Sequence, residues 1–361
     1  MADIDNVELI RSMDPQNMYN AVFDMPEHII EGIRLGHLWR IDPDEFSEIR
    51  NIVVVGMGGS AIAGDLCYSL LRSQLLVPFS VVRGHVLPEY VDDETLVIAS
   101  SYSGNTDETI AAVEDALLRK AMLVAFTTGG LLKEICDLNQ IPLGDLPTGI
   151  QPRAALGYSF TMMLLFLERI GLAPGAEDQL KQLTAGLQRY REVYIEDNAS
   201  EQNTAKNLAR RLQGKISIIY TGPSLTDSVG VRLKGQICEN SKQLAFVNQF
   251  SEFNHNELVG WSPLVEAHLE HLIVIILRDA EDTPQIRTRM NIVRDIIKER
   301  GVDVIEMHTK GNSRLERMFS LVQLGDFISY YLAVLNDVDP TPVAVIEELK
   351  EKLAAANLPR V

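Results

Sequence analysis

Two loops in this sequence carry residue types suited to holding an anion. Gly56-Met57-Gly58-Gly59-Ser60-Ala61-Ile62-Ala63-Gly64-Asp65 follows a β-branched run and opens a helical pattern. Glycines at such a junction let the backbone turn sharply, so that amide N–H groups and the positive end of a helix dipole face an anion. A dinucleotide fingerprint would place a third glycine where Ala61 stands and an acidic residue after the next strand, which ends instead Val82-Arg83-Gly84-His85. NAD is therefore disfavoured, while NADP held through Arg83, and a tight turn without a ligand, are left open. The second loop, Ser100-Ser101-Tyr102-Ser103-Gly104-Asn105-Thr106, also follows an apolar run and precedes a helix that starts near Asp107. Its hydroxyls and the free amides of the helix start can hold a phosphate without a basic side chain. A capping role for Thr106 would explain that hydroxyl alone and not the serines before it.

The elements that must position these loops alternate β-branched runs with helical stretches, as parallel sheets covered on both faces do. The first series contains NIVVVG, PFSVVR, TLVIAS and AMLVAF, with DETIAAVEDALLRKA between the third and fourth, and ends near Asp137. A second series begins at Lys215 with ISIIY, continues through QLAFV, LIVIILRD and VDVIEMH, and is followed by a long segment, Leu315 to Leu335, that reads as amphipathic. Gly157 to about Gln213 is helical in pattern, and prolines 340 and 342 precede a last helix, VAVIEELKEKLAA. The fold class is α/β, with two doubly wound parallel-sheet domains of flavodoxin-like type and additional helices. The expected division is an N-terminal helical segment at 1–50, a first sheet domain at 51–155, a connecting helical layer at 156–213, a second sheet domain at 214–338 and a C-terminal helix at 339–361.

With 33 basic and 50 acidic side chains and a net charge of −17, a broad nucleic-acid surface is excluded as an expectation, because phosphate backbones are held by Lys and Arg. Cys67, Cys136 and Cys238 form no Cys-x-x-Cys pair, and no stretch reads as the roughly 20 apolar residues of a membrane span. A soluble, cytoplasmic protein is expected. Glu266, His268, Glu270 and His271 lack the spacing of a catalytic zinc site, so no metal is assigned. Phe160, Met162, Met163 and Phe166 read as core, and Cys238 as a small buried residue.

Taken together, GMGGSAIAGD, SYSGNTDET, Pro152-Arg153, Glu239 within ICENSKQLAF and Glu252-Phe253-Asn254-His255-Asn256-Glu257 resemble the bifunctional phosphoglucose/phosphomannose isomerases of the sugar isomerase (SIS-domain) superfamily. SYSGNT alone marks the superfamily, which includes regulators that sense phosphosugars; the later Arg, Glu and His motifs, in this order, are the specific part. The resemblance runs from about Val53 to the tail. It implies SIS-type domains and an aldose–ketose isomerase acting on glucose 6-phosphate, mannose 6-phosphate and fructose 6-phosphate, with no cofactor. It implies that Gly59, Ser60, Ser101, Ser103 and Thr106 surround the substrate, the second-loop hydroxyls taking its phosphate, and that Arg153 lies beside the reacting carbons. Glu239 would be the base that moves the proton between C1 and C2, and His255, supplied across a homodimer interface, would help open the sugar ring. A lysine of the last helix would complete the site. Lys350 is the choice, with Lys352 and Lys310 left open, and Thr341 is the candidate for room to rotate the intermediate about C2–C3.

These residue types suit the chemistry without the family. Isomerisation needs one carboxylate to take a proton from one carbon and return it to its neighbour through a cis-enediol. The developing oxyanion needs a partner such as Arg153, and ring opening needs an acid/base pair such as His255 or Lys350. Taken singly, a helical glutamate such as Glu239 is more often a solvated or ion-paired side chain. A phosphosugar-binding regulator and an isomerase of another phosphosugar are the alternatives, although the acidic first fifty residues do not look like a basic DNA-binding output module.

Overall fold

The computed structural model describes residues 3–262 and 269–356. The chain divides into two compact units, Asp24–Thr184 with Val343–Val361, and Met1–Phe23 with Ala185–Pro342. Each contains one wholly parallel sheet. They are called here the first-sheet and second-sheet units.

In the first-sheet unit the strands are β1 (Asn51–Val55), β2 (Phe79–Val82), β3 (Thr95–Ser100), β4 (Met122–Thr127) and β5 (Leu143–Asp145), in the spatial order β2-β1-β3-β4-β5. β1 pairs with β3 through Val55 and Ala99, and β3 with β4 through Ser100 and Phe126. Every residue of β3 is buried, as a central strand covered on both faces requires. On one face, Val53, Val97, Ala99 and Ala125 pack with Ile110 and Val113 of helix α5 (Asp107–Leu118) and Leu132 and Cys136 of helix α6 (Gly130–Asn139). The other face takes helix α4 (Gly58–Leu71), where Gly64 lets the helix close onto Val54, and helix α7 (Leu156–Arg169). Helix α3 (Met25–Leu38) packs on α7 in turn, its Gly32 and Gly36 leaving room for Thr161 and Leu165. The final helix of this unit, α13 (Ala344–Ala355), has no buried residue.

The second-sheet unit repeats the winding with β6 (Ile216–Thr221), β7 (Ala245–Gln249), β8 (Leu272–Arg278) and β9 (Asp303–His308), in the order β7-β6-β8-β9. Helix α11 (Pro284–Glu299) supplies Ile286, Met290, Val293 and Ile297 to a core with Tyr220, Val274, Ile276 and Val304. Helix α12 (Arg314–Leu335) packs against α10 (Thr226–Ser241), α9 (Thr204–Leu212) and α2 (Met18–Phe23).

Two expectations change at α12. Instead of an amphipathic segment it is buried on every side from Arg317 to Leu335, because neighbours cover it all round. By length and composition it would also pass for a membrane span, and its apolar window is wholly inside the protein. Polar residues break its apolar run, and the interior pairs them: Asp326 accepts from Arg232 and Gln236, and Ser329 from Asn240. Helical stretches also separate differently from the sequence blocks. Helices α1 (Val7–Ser12) and α2 belong to the second-sheet unit and α3 to the first, while α7 and α9 fall in different units.

Candidate active site

The winding of the first sheet reverses between β1 and β3, and the crevice outside the carboxyl ends of such strands is where open α/β sheets bind ligands. Both sequence-derived loops lie there. Gly56 ends β1 so close to β3 that a side chain would meet the Ser100 carbonyl at 2.6 Å. Gly58, at φ +47°, makes the turn into α4. Gly59 faces the backbone of Pro152 and Arg153, and a Cβ there would stand 2.9 Å from the Arg153 nitrogen. That absent side chain brings the Pro-Arg dipeptide against the glycine loop. Arg153 itself is 3% exposed.

The serine loop is tied internally in a way that keeps its hydroxyls at the helix start. Ser101 Oγ accepts from the Gly104 N–H at 3.2 Å and donates to Thr106 Oγ1 at 3.1 Å. Thr106 occupies the N-cap position of α5 yet makes no capping bond, so the cap does not consume its hydroxyl. Ser103 is exposed and accepts from the Asn105 N–H at 3.3 Å. Ser60, on the first turn of α4, accepts the Tyr102 N–H at 3.0 Å and joins the two loops. The structure thus brings Gly59, Ser60, Ser101, Ser103, Thr106 and Arg153 to one end of one sheet.

A third loop supports the serine loop and was not among the sequence-derived candidates. Thr128 donates through both N–H and Oγ1 to the Tyr102 carbonyl, at 3.1 and 2.7 Å, and Asn105 Oδ1 accepts the Leu131 N–H at 3.0 Å. Gly104, at φ +69°, has no room for a side chain, since a Cβ would lie 1.8 Å from the Gly129 carbonyl. The signal for this loop was available: Thr127-Thr128-Gly129-Gly130 ends a strand and opens a helix, as the other two loops do. Arg83, the one residue that kept NADP open, is ion-paired with Asp65 of α4.

Glu239 and His255 belong to the second-sheet unit. Glu239 is half-buried near the end of α10, and that helix is held in register on α12 by contacts one turn apart. Arg232 and Asp326 form a buried two-pronged pair at 3.1 and 2.6 Å; Gln236 adds a bond at 2.8 Å, and Asn240 donates to Ser329 Oγ at 2.9 Å. Past the helix end, Lys242 Nζ donates to the carbonyls of Glu239 (2.8 Å) and Pro340 (3.1 Å), so buried Thr341 is held beside the turn that carries Glu239. His255 is exposed at the end of the short helix Glu252–His255. Its segment is anchored by Phe253, stacked on Tyr220 at 4.1 Å, and by Glu257, which accepts from Tyr220 (2.6 Å) and Asn248 (2.6 Å). Glu257 therefore has a structural part in the motif.

Lys350 and Lys352 are exposed on α13, Lys352 paired with Glu348. Lys310 lies in the second-sheet unit over the rings of Tyr190 and Tyr194. Among the described residues no group of His, Cys, Asp and Glu could hold a metal; Glu266 and His268 lie outside them.

Comparison with known proteins identifies the family. The chain is 44% identical over 339 residues to a bifunctional phosphoglucose/phosphomannose isomerase of Caldicellulosiruptor bescii, an alignment covering 93% of this chain and 99% of that one. The chain belongs to the bifunctional phosphoglucose/phosphomannose isomerase family. Within it, residues 45–136 match the SIS domain, and residues 201–353 match the bacterial phospho-glucose isomerase C-terminal SIS domain. A D-glucosamine-6-phosphate 4-epimerase of Sulfolobus acidocaldarius is 36% identical over 215 residues, 58% of this family member and 64% of the epimerase. The fold is shared with a hypothetical protein of Thermus thermophilus known from a crystal structure, with a TM-score of 0.75, 16% identity and coverage of 96% of this chain and 93% of that one.

Proposed function

We propose that this isomerase interconverts glucose 6-phosphate and mannose 6-phosphate with fructose 6-phosphate in the cytoplasm. The observation that carries the reading is the junction of glycine loop, serine loop and Arg153 at the β1/β3 reversal, in a chain with full-length family relatives. The hydroxyls of Ser101, Ser103 and Thr106, with the amides that open α5, take the phosphate; Gly59 and Ser60 line the sugar. Glu239 removes the C2 proton of the open-chain aldose and returns it to C1, while the hydroxyl proton passes from O2 to O1 through the cis-enediol. Arg153 stabilises the negative charge on those oxygens. Thr341 leaves the intermediate room to rotate about C2–C3, so either epimer forms. His255, contributed by a second copy in a homodimer, and Lys350 open the ring.

A panel of phosphosugars, assayed with and without a chelator, tests the reading. Turnover of both epimers, insensitive to chelator, is expected; conversion of neither overturns it, and binding without turnover would favour a regulator. The similarity to the D-glucosamine-6-phosphate 4-epimerase supports including glucosamine 6-phosphate, whose preferential turnover would shift the reading to an amino-sugar enzyme. The shared site has its own test. Glu239→Gln and His255→Ala chains, each inactive alone, regain one working site per mixed dimer if the histidine crosses the interface. Activity no higher than the mean of the parents rules that out.

A further inference from the structure

Tyr102 lies in the middle of the serine loop, but its half-buried ring points back into the protein. We infer that Tyr102 is a positioning residue that sets the spacing between the serine loop and Arg153, so that a sugar held by its phosphate presents its reacting carbons to the guanidinium. This rests on the site reading proposed above. Every polar group of Tyr102 is committed to a different segment of the first-sheet unit. Its N–H goes to Ser60 of the glycine loop, at 3.0 Å, and its carbonyl accepts from Thr128 of the third loop, at 2.7 and 3.1 Å. Its phenol donates to the Pro147 carbonyl at 2.7 Å and faces the backbone of Ile150.

The Pro147 bond and the approach to Ile150 fix the start of the chain that runs into Arg153. From Ile150 it passes directly to Gln151-Pro152-Arg153, and the N–H groups of Ala154 and Ala155 close a turn on the Gln151 carbonyl at 2.8 and 3.1 Å. A shift of Pro147–Ile150 is therefore delivered to Arg153. On its other side the Arg153 backbone rests on Gly59. The arginine is thus referenced twice to the anion loops, once by contact at Gly59 and once through the phenol. Burial raises the Tyr102 pKa, which keeps the hydroxyl a neutral donor at physiological pH. Phenylalanine would fill the same space and keep both backbone links, so the hydroxyl can be tested separately from packing.

The test uses full-length Tyr102→Phe, Arg153→Lys and the double variant. Turnover of fructose 6-phosphate is measured, together with calorimetric binding of glucitol 6-phosphate, a sugar phosphate that cannot react, whose stoichiometry counts competent sites. Because misplacement by a fraction of an ångström to 1 Å can cost up to about 100-fold, Tyr102→Phe is expected to lower kcat per competent site about 10-fold. Glucitol 6-phosphate affinity should change less than about 3-fold, since the phosphate loop keeps its backbone ties. In the Arg153→Lys background the same change should cost little more, because residues that act through one another are not additive. Unchanged kcat, a fall explained wholly by lost competent sites, an affinity loss as large as the kcat loss, or full additivity in the double variant overturns the inference. If Arg153→Lys alone leaves kcat intact, the placement of Arg153 at the reacting carbons fails as well, and the two failures are thereby distinguished.

Discussion

The two sheets wind identically, each reversing beside its first strand, yet the crevices at the two reversals are furnished in opposite ways. Outside β1 and β3 the chain places glycines, serines and a threonine around helix starts. Outside β6 and β8 it places its own carboxylates: Asp282 occupies the space beside Gly222, where a Cβ would lie 2.7 Å from Oδ1, and Asp279 accepts from buried Arg317 at 2.8 Å. The Gly222 N–H, at the position after β6 that Gly56 holds after β1, is bonded to Thr226 Oγ1 at 2.8 Å. A phosphate there would meet carboxylates in place of amides and hydroxyls. The same topology carries hydroxyls and free amides in one unit and carboxylates paired with an arginine in the other, so the side chains and not the winding distinguish the two crevices. In the function proposed above, the second-sheet unit contributes from elsewhere, through Glu239 at the far end of α10 and through the His255 segment.

The largest expected effect breaks that division of labour. Glu239→Gln should lower kcat by about 10²–10⁴-fold for both isomerisations, the usual contribution of a general base. Loss of one reaction only would require two bases and contradict a shared enediol. Next, replacing Ser101, Ser103 and Thr106 together with alanine should raise KM on the order of 100-fold, each hydroxyl being worth about 1 kcal/mol or more toward a charged group. An unchanged KM would remove the cradle from the site. The matching change in the second crevice, Asp279→Ala, removes one of the two carboxylates paired with buried Arg317, leaving Glu281, and should cost about 1–3 kcal/mol of stability, read as a lower Tm, with KM unaltered. A raised KM there would mean that the second crevice touches substrate.

The smallest effect concerns the first-sheet unit alone. His28 is buried on α3, and burial lowers its pKa from 6.5 to about 4. The unfolded chain therefore binds the extra proton between those values, so stability is full above pH 6.5 and falls as pH drops through the window, by at most about 3 kcal/mol. His28→Leu should flatten that slope in urea titrations at stepped pH. An unaltered slope would assign the acid sensitivity to other groups.

Much of this was legible in the sequence because the buried strands are long β-branched runs and each anion loop sits where a run ends. β5 was not legible. It has three residues, and Gly144 at its centre is selected by the Phe126 ring, which a Cβ would meet at 2.6 Å, a constraint without local periodicity. The burial of α12 was hidden because polar residues interrupt its apolar pattern, and only their partners on α10 show that the interruptions face inward. At the site, residue types located the loops, whereas the approach of Arg153 to Gly59 depends on tertiary packing that spacing does not encode. The adjacency of Thr341 to the Glu239 turn is of the same kind, since Lys242 bridges segments far apart in the chain.

The discontinuity of the units has a consequence for synthesis. Helix α2 packs on α12, within a unit that joins Met1–Phe23 to Ala185–Pro342. In chain order Met1–Phe23 is followed by the whole of Asp24–Thr184 before the partner helix is made. At about 5–20 residues per second, the leading helices wait on the order of fifteen seconds to a minute with Met18 and Val22, buried in the finished protein, unmatched by their native partners. The opening segment is thus made long before the residues that house it.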